Sequence, residues 1–373
     1  MKTPNSERVH IAFFGNCNSG KSSLINAITG EQTALVSEVA GTTTDLVKRA
    51  VELPNVGAAV LIDTPGLDDN TTLGALRTEQ SRKALMQTDI AVVLLPVEDS
   101  FLTQIRSLEI PIIAVTSKAD IATEIYENSI AVSSTTAQGI EQLLAALASC
   151  VDSQSRLITE NICNSGDTVL LVMPQDSSAP KGRLIKPQVE VIRELLDRGC
   201  TAVCCQPDRV EATLSTLATP PQVIITDSSA FAVVKPLVPQ GVRFTSFSIL
   251  FADYKGDIEL FRAGARHLLS LPATAKILIA EACSHTPQNE DIGRVKLPRL
   301  LRKRLGEDIT IDTVSGTDFP ADLSSYDLII HCGACMFTRR YVLSRIAQAK
   351  RQAIPMTNYG VAIAALQGIE TDN

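Results

Sequence analysis

The sequence predicts an α/β fold with mostly parallel sheets, divided into one larger domain and two smaller ones, and three observations carry that prediction. Short β-branched runs alternate with helical patterns along most of the 373 residues. Polar stretches interrupt the alternation at 152–156 and 161–167, where a linker is expected. In the last third, two apolar runs are each followed within three residues by sulfur and imidazole side chains, the strand-end position where open α/β sheets hold ligands. The implied domains are residues 1–158, 166–264 and 266–373.

Composition narrows the function classes. With 45% hydrophobic and 20% charged residues the chain reads as globular, and its longest apolar run, near 90–95, is too short to cross a bilayer. No membrane association is expected. Residues 1–8 lack the apolar core of a secretory signal, so a reducing cytoplasm is expected and the nine cysteines are not read as a disulfide framework. A net charge of −7 opposes a broad phosphate-binding surface, and nucleic acid is not the expected partner. The basic stripe at 299–304 fits either the solvated face of an amphipathic helix or a docking surface.

In the first domain, strands are expected at 9–14, 58–62, 90–95, 110–116 and 129–133, with a closing helix opened by Gly139-Ile140. Gly15-Asn16-Cys17-Asn18-Ser19-Gly20-Lys21-Ser22 matches the P-loop pattern between an apolar strand and a helix bearing Leu24, Ile25 and Ile28. Backbone N–H groups of this loop, continuing through Ser23, would wrap phosphates; Lys21 would reach the outer phosphates, and Ser22 would ligate Mg2+. Asp63-Thr-Pro-Gly66 follows a strand, which puts a carboxylate beside the magnesium and the Gly66 N–H at the terminal phosphate. Between them lies Gly41-Thr-Thr-Thr-Asp45, from which Thr43 is the expected hydroxyl ligand. Ser117-Lys118-Ala-Asp120 places a carboxylate where it can bind a guanine bidentately, and Ser133 and Ser134 supply contacts to the same base. GTP is therefore the expected substrate, with Lys21, Thr43 and Gly66 closest to the chemistry.

The middle domain is read as a strand at 168–172, a helix from Pro187 with Val189, Ile192, Leu195 and Leu196 inward, and strands at 201–205, 222–226 and 243–251. It shows no catalytic set, which suggests an assembly role such as a dimer interface. In the third domain, strands at 276–280 and 327–330 precede Cys283-Ser-His285 and His331-Cys332-Gly-Ala-Cys335, and a helix is expected over 339–351. Five ligands exceed the four of a structural zinc site, while three cysteines leave one iron of a 4Fe-4S cluster without a thiolate. Ligand chemistry alone leaves a cluster and a three-cysteine, one-histidine zinc site both open.

The five nucleotide motifs in this order resemble the Era-like and tRNA-modification class of P-loop GTPases. Asn18 matches the P-loop asparagine that holds K+ in the potassium-activated members, and Leu67 stands where Ras-type enzymes keep a water-orienting glutamine, so slow, potassium-stimulated hydrolysis is expected. Ser117 departs from the family's asparagine, which puts guanine affinity in doubt. Over essentially the whole chain, this GTPase domain followed by two smaller α/β domains and the Cys-x-His…His-Cys-x-x-Cys pattern resembles the HydF family, maturation GTPases of FeFe-hydrogenase. That resemblance implies a homodimer with a dimerisation domain and a cluster-binding domain. It also implies a 4Fe-4S cluster on Cys283, Cys332 and Cys335, with His331 and His285 the candidates for an exchangeable fourth position. The implied role is that of a scaffold or carrier for a diiron precursor made by the radical-SAM partners HydE and HydG and delivered to apo-hydrogenase. The competing reading is a ribosome- or tRNA-linked GTPase with a structural zinc domain.

Overall fold

The computed structural model describes residues 7–30, 37–38, 46–67, 74–152, 156–175, 184–282, 292–316, 318–334 and 337–369. By internal packing the chain forms two compact units, Met1–Ser155 and Arg156–Asn373. Among the described residues no helix is long and apolar enough to cross a membrane.

The first unit is built on strands β1 (Val9–Gly15), β2 (Ser37–Glu38), β3 (Val47–Leu53), β4 (Gly57–Asp63), β5 (Ile90–Leu95), β6 (Ile112–Thr116) and β7 (Ile130–Ala131). Its helices are α1 (Lys21–Thr29), α2 (Gly74–Gln87), α3 (Asp99–Ser107) and α4 (Ile140–Asp152). The sheet order is β2-β3-β4-β1-β5-β6-β7, and β1 lies parallel to both β4 and β5. Alternate residues of β1 feed two cores: Ile11 and Phe13 pack with Leu24 and Leu147 on one face, Ala12 and Phe14 with Ile62 and Ile105 on the other. β3, not among the strands expected from the sequence, pairs antiparallel to β4 over seven register positions. Its Lys48, Arg49 and Glu52 break the apolar run that marked the buried parallel strands.

In the second unit, β8 (Thr168–Val172), β9 (Thr201–Cys205), β10 (Val223–Thr226) and β11 (Arg243–Ser246) form a parallel sheet in the order β11-β10-β8-β9. Helices α5 (Lys186–Asp197), α6 (Val210–Thr216), α7 (Phe231–Val234) and α8 (Phe247–Lys255) accompany it. A second parallel sheet, β13-β12-β14-β15, combines β12 (Lys276–Ala280), β13 (Thr310–Val314), β14 (Leu328–His331) and β15 (Met356–Asn358). It is covered by α9 (Ile258–Leu268), α10 (Leu297–Leu305), α11 (Arg339–Arg351) and α12 (Tyr359–Leu366). The two sheets share a core in which Leu170, Ile224 and Phe231 pack with Phe261, Leu278 and Met356. The expected second and third domains are thus two α/β layers joined through common apolar packing.

Three expectations are corrected. The strand foreseen over 243–251 stops at Ser246, whose hydroxyl accepts the N–H of Ile249 and caps α8, so Phe247 onward turns helical. On α5, Gln188, Val191 and Leu195 are buried, whereas Val189 and Leu196, expected inward, are 50% and 59% exposed. The segment read as a linker begins to dock at Arg156: Glu194 accepts the N–H groups of Ile158 and Thr159, and Arg198 donates to the carbonyls of Thr159 and Cys163. The basic stripe at 299–304 is the solvated face of α10, with Leu297 and Leu301 beneath it.

Candidate nucleotide site and candidate metal centre

The P-loop joins the end of β1 to α1. Lys21 is nearly buried at 8% exposure, and its Nζ donates to Gly15 O at 2.9 Å and Asn16 O at 2.8 Å, holding the loop curled around a place for phosphate. Asn18 adopts φ 58° and Gly20 φ 97°, the left-handed conformations that turn successive N–H groups inward. The Ser22 hydroxyl donates to Asp63 Oδ2 at 2.5 Å, so the two expected magnesium ligands already converge. Asn16 donates from Nδ2 to Pro96 O at 3.1 Å and anchors the loop's outer edge.

Gly66 follows directly. A Cβ built on it would lie 2.3 Å from Cys17 Sγ and 2.8 Å from Cys17 N, which only glycine permits, and the next N–H, of Leu67, donates to Gly15 O at 3.3 Å. Cys17, Asn18, Lys21, Ser22, Asp63 and Gly66 line a cavity of about 460 Å3. Thr43 lies outside the described residues.

A second cavity, of about 220 Å3, is lined by Gly20, Ser23, Ser117, Lys118, Asp120 and Ser134. Here Ser117 Oγ donates to Ser19 O at 2.6 Å and Lys118 Nζ to Asn18 O at 2.9 Å, stitching the end of β6 to the P-loop. Serine in place of the family's asparagine therefore still ties the base-side loop to the phosphate loop. Ser133 is buried, and its Oγ accepts the N–H groups of Thr135 at 3.3 Å and Thr136 at 3.1 Å, shaping the far wall.

The candidate metal centre sits at the carboxyl ends of β12 and β14, which pair in parallel with Ala280 opposite His331. Just beyond, the N–H of Ala282 donates to Cys332 Sγ at 3.0 Å, and that of Ala334 approaches the same sulfur at 3.4 Å. Backbone N–H donors of this kind suit an anionic metal-bound sulfur. Cys283, His285 and Cys335 lie outside the described residues. Among the described residues no group of three or more His, Cys, Asp or Glu side chains is placed to hold a metal ion.

His331 is fully buried, with Nε2 2.9 Å from Arg345 Nη1 and Nδ1 2.7 Å from Cys332 O. Because a guanidinium only donates, Nε2 accepts and Nδ1 carries the proton given to the carbonyl. Burial, together with the positive charge of Arg345, pushes the His331 pKa down to about 3, so the imidazole stays neutral. Both ring nitrogens are engaged, an arrangement that would have to open for His331 to bind a metal. Arg345 is itself fully buried, stacked against Phe319 and Tyr341, and also donates to Gly316 O and Tyr341 Oη.

Two further residues escaped the sequence reading. Glu281, 4% exposed, pairs with Arg294 at 3.0 Å and accepts from Ser315 Oγ at 3.0 Å. Lys255, 5% exposed, donates to Ala334 O and Phe337 O. Their partners lie 13 or more and 79 or more residues away, so no local spacing announces these contacts.

The model of the 50S ribosome-binding GTPase family matches residues 10–121, that of the hydrogen maturase F dimerization domain residues 158–256, and that of the hydrogen maturase F tetramerization domain residues 259–371. The tRNA modification GTPase MnmE of Parvibaculum lavamentivorans is 36% identical over 149 residues, 39% of this chain and 33% of the relative. That of Acidiphilium cryptum is 33% identical over 149 residues, 39% and 34%. The chain thus spans about a third of the length of the curated relatives it matches. Among solved structures, the cytosolic domain of the T. maritima FeoB iron transporter is 24% identical with a TM-score of 0.33, covering 40% of this chain and 66% of that one. An Aquifex aeolicus Era variant bound to GDP and AlF4− is 16% identical with a TM-score of 0.32, covering 61% and 97%. The two maturase domain models together take in more than half of the whole chain, behind its GTPase domain, and the chain belongs to the hydrogen maturase F (HydF) family.

Proposed function

We propose that this chain hydrolyses GTP and serves as a self-associating scaffold in FeFe-hydrogenase maturation, carrying a 4Fe-4S cluster on Cys283, Cys332 and Cys335. The observation that carries the cluster reading is the hydrogen bond from Ala282, bonded in sequence to Cys283, to Cys332 Sγ at 3.0 Å. It sets the segments that follow β12 and β14 side by side, with N–H donors directed at the Cys332 sulfur. When bound, the cluster supplies an iron lacking a protein thiolate, where a precursor can dock and leave. The chain's residues would position and shield it, with the fourth place falling to His285 or to an incoming group while His331 stays engaged by Arg345 and Cys332 O.

At the nucleotide site, Ser22, Asp63 and Thr43 would hold Mg2+, Lys21 and the loop N–H groups the phosphates, and Asp120 the guanine. Asn18 would hold K+, offsetting the absence of a water-orienting glutamine at Leu67, so turnover is slow and faster in potassium than in sodium. The partners are HydE, HydG and apo-hydrogenase, in the cytoplasm, with a homodimer as the smallest assembly.

Anaerobic reconstitution of the parent and of Cys332→Ser tests the reading. Iron and sulfide bound by the parent, lost in the variant with GTP hydrolysis intact, are the expected results. A colourless parent holding one zinc would instead establish the zinc-domain alternative.

A further inference from the structure

Lys255 is the last residue of α8, in the layer built on β8–β11, yet its ammonium is buried in the neighbouring layer. Nζ donates to Ala334 O at 2.8 Å and to Phe337 O at 2.9 Å, the described residues on either side of Cys335 and Met336 in the sequence. The ring of Phe251 lies 5.8 Å from the same nitrogen. Ala334 takes a left-handed φ of 48°, unfavourable for a residue with a Cβ, and its carbonyl also accepts the N–H of Phe337 at 3.0 Å. On the other side of its Cα, the Ala334 N–H approaches Cys332 Sγ at 3.4 Å. One residue therefore links the ammonium to the cysteine sulfur. Arg339 adds a second tie by donating to Tyr254 O at 3.0 Å.

Burying an ammonium is costly, and an apolar side chain would fill the same volume without that cost. What the ammonium does, and a methyl group cannot, is draw two carbonyls to one point and hold Ala334 in its strained conformation.

We infer that Lys255 is a positioning residue for the cysteine loop: by pinning Ala334 and Phe337 it sets the placement of Cys332 and so the grip on an iron–sulfur cluster. This rests on the cluster reading above. It also makes that grip depend on α8, and thus on the layer matched by the dimerization model.

The test uses the full chain with Lys255→Met and Lys255→Arg. Three readouts apply: alkylation of Cys332 by iodoacetamide in the metal-free protein, iron loss to a chelator after anaerobic reconstitution, and the electron paramagnetic resonance of the reduced cluster. Lys255→Met is expected to raise both rates about 10-fold and shift the resonance with GTP hydrolysis unchanged, the size usual for residues that support metal ligands. Lys255→Arg should recover part of the effect. Should Lys255→Met not fold, Lys255→Arg carries the test, with any rise in the two rates supporting the inference. Parent-like rates and resonance in the folded variants would overturn it. A parent that takes up no iron or sulfide would instead sink the cluster reading, while the alkylation arm still decides whether Lys255 controls the loop.

Discussion

Arg345 Nη1 lies 2.9 Å from His331 Nε2, and neither residue exposes any surface. The guanidinium also reaches Gly316 O and Tyr341 Oη between two aromatic rings, so one buried cation organises the strand end that carries Cys332. Arg345→Met keeps much of the bulk but leaves these acceptors without a donor, each worth about 1–3 kcal/mol when buried. The expected loss is about 3 kcal/mol in urea unfolding of the second unit. An unchanged midpoint would mean that water replaces the guanidinium.

Asp120 borders the cavity that Ser117 and Lys118 tie to the P-loop. Asp120→Asn exchanges one acceptor for a donor where the proposed reading puts the guanine ring N–H and amine. GTP affinity should fall by about 2 kcal/mol, roughly 30-fold, while xanthosine triphosphate, which offers a carbonyl there, should gain. Calorimetric titration with both nucleotides checks this, and equal weakening toward both would argue against base reading by Asp120.

Gly264 lies in α9, where an added Cβ would stand 2.1 Å from Met356 O and 2.5 Å from its carbonyl carbon. Helix and β15 approach that closely because Thr357 Oγ1 donates to Phe261 O at 2.8 Å. Gly264→Ala raises helix propensity, yet the backbone clash should win and destabilise the unit by about 1–3 kcal/mol. Denaturant unfolding of the variant decides the sign.

Asp257 caps α9, accepting the N–H of Leu260 at 3.0 Å and pairing with Lys350 at 3.0 Å. Burial works to raise its pKa, but the backbone N–H groups and the ammonium prevail and hold it below the usual carboxylate value. A lowered folded-state pKa means that the stabilisation is complete above the unfolded carboxylate range and is lost as pH falls through the folded value. Asp257→Ala should cost about 1 kcal/mol near neutrality, and its difference from the parent should shrink below pH ~4. A difference independent of pH would show that the cap acts without its charge.

The candidate nucleotide site left a contiguous motif in the sequence because phosphate wrapping needs consecutive backbone N–H groups. Gly15 to Ser22, Asp63, Gly66 and Asp120 each follow the carboxyl end of a strand whose apolar run announces it. The apolar runs at 90–95 and 276–280, buried on both faces, were readable as strands, whereas β3, whose charged residues break its apolar run, was missed. On α5, tertiary packing turned Gln188, Val191 and Leu195 inward, and Val189 and Leu196 emerged at the surface. The burial of Lys255 beside Ala334 and of Arg345 beside His331 came from tertiary packing alone. Those contacts join residues far apart in the chain, and only the convergence of β12, β14, α8 and α11 makes a low-dielectric place where a single cation can orient a loop.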